Sequence, residues 1–199
     1  MAVPTAGVGT KGDRTRQRLL EIAVRRFAAD GYRRTSVSDI ARDADLTPAA
    51  VYAYFTGKEA LFQAAVDTDA SALIAEAGEA VGGLPLRDGV ARMIAVLAER
   101  IPEHPLAARV LSGQEPEVID RLRDLPSLAE LTAGVAVGIA EAQAAGQIRA
   151  DLDAELMAEG LEAIVLSLLM SSLQARVDPT SRRADAARAV LDAALRPPS

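Results

Sequence analysis

An all-α chain of two unequal modules is what the residue pattern predicts, on three observations. Apolar residues recur at three- and four-residue steps in segment after segment, while alternation of period two is absent, so nothing argues for a sheet. Gly and Pro interrupt these segments at spacings suited to helices. The third observation is unevenness: Phe27, Tyr32, Tyr52, Tyr54, Phe55 and Phe62 are all the aromatic residues of a 199-residue chain, and residues 63–199 contain none. A module of roughly 60 residues buries a smaller share of its surface than a larger domain does, and gains most from large rings. The longer remainder has to pack with Ala, Leu, Val, Ile and Met.

Charge divides the chain at the same place. The whole carries 22 basic and 28 acidic groups, a net charge of −6, which taken alone argues against a nucleic-acid binder. Residues 1–62 hold ten basic and seven acidic groups, a net of +3, which leaves −9 on the rest. Such asymmetry points to a basic module with its own partner, carried on an acidic body. Half of the residues are hydrophobic and a quarter charged, as in soluble globular proteins. The absence of cysteine removes disulfides, thiolate nucleophiles and Cys-containing zinc sites, and fits a reducing cytoplasm. A single histidine, His104, leaves no His-rich metal centre, and no metal or cofactor is expected. The first residues lack the features of a secretory signal, and no run of about 18 apolar residues is free of charge, so no membrane partner is expected.

Residues 1–12, rich in Gly, Ala, Thr and Val, read as a mobile arm. A helix is expected from Asp13, with Leu20, Ala23, Val24 and Phe27 on one side and most of the arginines elsewhere, stopped at Asp30-Gly31 by a glycine able to take positive φ. Ser36 is the next N-cap, with Asp39 in the place of a capping-box acid, and the helix that follows runs to about Ala44. After Asp45-Leu46, Thr47 caps again and Pro48 takes the first turn of a helix reaching about Phe55. Lys58 opens a longer helix to about Ala80. Two short helices across a tight turn, at about 36–55, preceded by a longer amphipathic helix in a basic segment, form a helix-turn-helix pattern. Beyond a linker at Val81–Pro85, helices are expected at about 87–101, 105–112, 116–124, 127–145, 153–176 and 181–195, with prolines at most joints. The stretch from Leu161 to Leu173 is apolar on more than one helical face. Either it packs against a second copy of the chain or it is the central helix of a monomeric core.

The run TSVSDIARDADLTPAAVYAYFTGKEALF at 35–62, with RLLEIAVRRFAADGY before it, closely resembles the signature of TetR-type transcriptional regulators. The resemblance covers roughly residues 13–73 and implies a helix-turn-helix DNA-binding domain there, with 74–196 as a helical ligand-binding and dimerisation domain. It further implies a bacterial, cytoplasmic homodimer that binds a double-stranded DNA operator, in most relatives a repressor released by a small molecule. A transcriptional activator and a ligand-independent architectural DNA-binding dimer remain the alternatives.

By the same resemblance, Tyr52 falls on a tyrosine that touches the DNA backbone or a base, and Thr35, Ser36 and Lys58 fall on positions that hold phosphate. A cation at the start of a helix opposes its dipole, which makes a purely structural Lys58 less attractive. Thr47 caps its helix and can also reach a phosphate. Tyr54 and Phe55 read as core rings. Relatives often carry Lys, Gly, Thr and His on the exposed face of the third helix, whereas this chain has Pro48, Ala49, Ala50 and Ala53. Direct readout would then lean on methyl contacts to thymine and on Tyr52 or Arg42, with Arg14, Arg16 and Lys11 adding phosphate or minor-groove contacts.

The ring-free body is expected to form an aliphatic pocket for a small, largely apolar effector, drawing on Phe62, Met93, Leu97, His104, Leu111, Gln114 and Gln143. Leu161, Val165, Leu168, Leu169, Val190, Leu191 and Ala194 are the expected dimer interface. Catalysis is not expected: histidine chemistry would rest on His104 alone, there is no nucleophile elbow or glycine-rich phosphate loop, and Asp151 and Asp153 read as helix-capping acids.

Overall fold

A computed structural model of the chain describes residues 10–116, 124–175 and 182–196, which are helical but for turns and short connections. Helix α1 spans Lys11–Arg34. It starts ahead of the expected Asp13 because Thr10 and Asp13 form a reciprocal capping box: the Asp13 amide donates to the Thr10 hydroxyl, and the Asp13 carboxylate accepts the Thr10 amide at 2.9 Å. At Gly31 the helix breaks, with φ 81° and ψ 166°, and one further turn follows. Helix α2, Val37–Asp43, begins at Ser36, whose hydroxyl accepts the Asp39 amide. The turn to α3 passes through Asp45 at φ 55°, a conformation aspartate tolerates better than most residues. Helix α3, Pro48–Tyr52, is capped by Thr47 through the Ala50 amide and ends before the expected Phe55. Helix α4 runs Lys58–Val81.

The chain divides into two compact units, 1–68 and 69–199, which meet within the length of α4. In the first unit, Leu19, Phe27, Ile40, Val51, Leu61 and Phe62 are fully buried. The Phe27 and Phe62 rings meet edge to face at 4.8 Å between centroids, and Tyr32 meets Phe62 at 5.0 Å. These are favourable aromatic geometries that add to the burial of the rings themselves.

The second unit continues α4 and adds α5 (Leu86–Arg100), a 3-10 turn (Ile101–Glu103), α6 (Pro105–Leu111), α7 (Pro126–Ala144), α8 (Ala154–Ala175) and α9 (Arg182–Leu195). The expected helix at 116–124 falls, but for its ends, outside the described residues. Ile139, Ala142, Ile148, Ala158, Leu161, Leu191 and Leu195 form its core, bordered by Leu86, Val90 and Ile94 of α5. Residues 154–174 make one helix long and apolar enough, by length and composition alone, to cross a membrane, with a mean hydropathy of 1.6. Glu155, Glu159 and Glu162 lie within its length. Only 17% of its most apolar window is buried within the single chain.

Candidate nucleic-acid interface

Helix α2, the turn at Asp45 and α3 pack on one another, and α1 packs on α2. A clasp of charge holds this arrangement. Arg26 of α1 reaches both Asp30 on its own helix and Asp43 at the end of α2, and Arg18 reaches Asp45 in the turn at 2.9 Å. The Arg26 guanidinium holds the Asp43 carboxyl below the usual carboxylate range, and the two acids in turn raise the guanidinium's own value. Arg42 pairs with Asp39 at 2.7 Å. Hydrogen bonding from the Ser36 hydroxyl, then from Arg42, lowers the Asp39 carboxyl. These pairs join acids and arginines already set against each other in the net of +3, which they leave unchanged, and Arg14 and Arg25 are exposed and stand outside them.

Val51, at 1% exposure, turns α3 toward the core. Its outward side carries Pro48, Ala49, Tyr52 and Ala53, with Ala50 half-buried beside them. Tyr52 is 55% exposed, so its ring is available to a partner. Tyr54 corrects the expectation of a core ring: it is 36% exposed, because α3 ends at Tyr52 and the following turn lifts Tyr54 out, whereas Phe55 is buried as expected. Arg16 lies over Phe55 at 5.2 Å from the ring centroid.

Thr35 also sits elsewhere than a phosphate contact requires. It is 3% exposed, and its hydroxyl donates to the Gly31 carbonyl at 2.9 Å, closing the end of α1. Ser36 and Thr47 are exposed and act as the caps their positions suggested. Lys58 has a structural contact after all: its ammonium stands 4.3 Å from the Tyr32 ring centroid, so a cation is tolerated at the start of α4 by an aromatic face. The clasp through Asp43 and Asp45 was missed in the sequence because charge counting treats acids as background rather than as partners of particular arginines.

The expected pocket residues fall in several settings. Phe62 belongs to the ring cluster of the first unit, where its contacts are Phe27 and Tyr32. In the second unit Leu97 and Leu111 are buried and Met93 is half-buried. Gln114 exchanges hydrogen bonds with Arg109 and Ser112. The Gln143 amide donates to the carbonyls of Arg149 and Leu152, which fixes the turn between α7 and α8. His104 is 6% exposed, with Nδ1 3.4 Å from an Asp69 oxygen and Nε2 3.5 Å from a Glu76 oxygen, both on α4. Glu76 is also bonded by Arg100, which holds its carboxyl below the usual range. Of the expected interface residues, Leu161, Leu169 and Leu191 are buried within the chain, Val165 and Leu168 are half-buried, and Val190 and Ala194 are exposed. Ile164 and Leu156 on α8 are exposed as well. Among the described residues no group of three or more acids and His could hold a metal ion.

Residues 19–65 match the model of a family described as bacterial regulatory proteins, tetR family. A TetR-family transcriptional regulator from a Rhodococcus species is similar over 92% of this chain and 96% of its own, with 26% identity and a TM-score of 0.66. GusR of Salmonella enterica is similar over 94% of this chain and 97% of its own, with 27% identity and a TM-score of 0.65. The regulator FadR from Bacillus subtilis, solved with stearoyl-CoA, shares the fold at 17% identity and a TM-score of 0.66, over 90% of this chain and 97% of its own. No curated protein matches the chain.

Proposed function

We propose that this chain is a TetR-family helix-turn-helix regulator and a homodimeric repressor of the bacterial cytoplasm, on the match of residues 19–65 to that family's model and the likeness of its fold to solved members. It binds a double-stranded DNA operator and leaves it when a small, largely apolar effector binds. The observation that carries the DNA-binding half is the α2–turn–α3 unit. Both helices are capped, ion pairs from α1 reach the end of α2 and the turn, and α3 with its C-cap Ala53 presents Pro48, Ala49, Tyr52 and Ala53 outward. Tyr52, Lys58, Ser36, Thr47 and Arg42 are its candidate contacts, with Arg14 reaching the phosphate backbone from α1.

The homodimer is supported by α8 and α9, which leave Leu156, Ile164 and Val190 exposed on long helices of the second unit. An apolar effector is supported by the absence of any ring in residues 63–199, which leaves aliphatic walls for a binding cavity. For release, the effector has to favour the form unable to hold DNA, a coupling of about 1–3 kcal/mol. Helix α4, which is shared by the two units, is the continuous element through which that coupling would pass. No catalytic role is proposed.

DNA fragments selected from a random pool, followed by gel-shift titration, test the reading. Bound fragments should share an inverted repeat, and a screen of metabolites and lipids should yield a compound that weakens binding and raises the melting temperature. Selection of a repeat without any responsive compound would favour the architectural dimer. Failure to select any sequence would remove the regulator reading, and a promoter fusion whose output falls on deletion of the regulator would favour an activator.

A further inference from the structure

The proposed DNA-binding role leaves open which base chemistry the chain can read, and α3 narrows it. The match over residues 19–65 supplies the ligand; the surface of α3 constrains how that ligand is recognised. Three of the four residues on its outward side, Pro48, Ala49 and Ala53, end in carbon, and the buried Val51 fixes which side faces outward. The polar groups nearest in sequence have partners within the chain, which a contact to DNA would have to share or displace. The Thr47 hydroxyl accepts the Ala50 amide, and the Arg42 guanidinium is bonded to Asp39, which the Ser36 hydroxyl also holds. Hydrogen-bond readout from α3 itself is left to the Tyr52 hydroxyl.

In the major groove every base pair displays donors and acceptors, but only thymine displays an apolar group, its 5-methyl. Carbon-terminated side chains gain from covering that methyl, and they leave the amino group of cytosine and the acceptors of guanine desolvated without partners. We propose that Ala49 and Ala53 make this protein a methyl reader, selecting thymine over cytosine in each half-site by van der Waals contact with the 5-methyl. The inference rests on the DNA-binding reading of α3 and names the substrate feature it selects.

The test uses the intact wild-type protein and operators obtained by selection. Each selected thymine is replaced in turn by uracil, which keeps the pairing and deletes only the methyl. One or two positions per half-site should lose about three- to fivefold in affinity, the size expected for one buried methyl. At those positions cytosine should bind worse still, and 5-methylcytosine should recover part of the loss. The uracil penalty should shrink in Ala49→Gly or Ala53→Gly. Where a variant loses its helical circular-dichroism spectrum, the wild-type uracil and 5-methylcytosine series carries the test alone.

If no DNA is selected, the function reading fails and this inference with it. If operators are selected but every uracil substitution binds within experimental error of thymine, methyl reading is overturned while the regulator stands. A uracil penalty that persists undiminished in both folded glycine variants overturns the assignment to Ala49 and Ala53.

Discussion

Lys58 and Tyr52 separate two kinds of residue that look alike in the sequence. Among the described residues Tyr52 makes no ring contact, and it stands half in solvent, so Tyr52→Ala should leave the melting temperature within about one degree of wild type while weakening operator binding in a gel shift. Lys58 is different because its ammonium rests on Tyr32, itself part of the ring cluster. Lys58→Ala should weaken operator binding and also cost about 0.5–1 kcal/mol in urea unfolding. Phe62 was expected to be available to an effector, and its contacts make it a core residue of the reader unit. Phe62→Ala should destabilise that unit by about 3–5 kcal/mol, measured by the same urea titration. Composition could say that all six rings belong to the N-terminal module, but which of them point inward depends on where α3 stops, a matter of one turn.

Helix ends show where local sequence was enough and where it was not. Ser36, Thr47 and Gly31 act as cap, cap and break, because each works through its own neighbours in the chain. The start of α6 has no local cap; instead, one Asp69 oxygen accepts the amides of Leu106 and Ala107, both at 2.9 Å, across more than thirty residues. Two buried amides would be orphaned by Asp69→Ala, which should cost about 2–4 kcal/mol, and Asp69→Asn, retaining one acceptor, should cost less. Calorimetric melting of both variants checks the order. Acid should loosen the clasp between α1 and α2. The Asp43 carboxyl, lowered in the folded state by Arg26, contributes stability that is present above its unfolded value and lost as pH falls through its folded one. Melting temperature should therefore drop below about pH 4, and the drop should be smaller in Arg26→Ala.

At the scale of the whole molecule, α8 and α9 pose the question of what covers them. Ile164 and Val190 are 41% and 65% exposed, on helices that also contribute Leu161 and Leu191 to the chain's own core. A second copy would bury this side, and Ile164→Asp combined with Val190→Asp should convert a sedimenting dimer to a monomer while leaving the helical spectrum intact. The sequence offered two readings of the Leu161–Leu173 stretch, a dimer face and a core helix. Within the chain Leu161 and Leu169 are buried while Ile164 is exposed, so one row of the stretch serves the core and another is left for the proposed dimer to cover.

What the sequence determined by itself was the set of properties that depend on neighbours along the chain. Among these are the all-helical class, the positions of most helix starts and breaks, the helix-turn-helix spacing, and the division of rings and charge near residue 62. Capping, glycine conformation and helical periodicity act over one to two turns, so they can be read without knowing the fold. Only the tertiary structure decided which arginines are already paired with Asp43 and Asp45, that Thr35 is buried while Tyr54 is not, and that His104 faces two carboxylates of α4. Those outcomes depend on which helix faces meet, and residues far apart in sequence are brought within hydrogen-bond reach only when packing of the apolar rows has fixed the angles between helices.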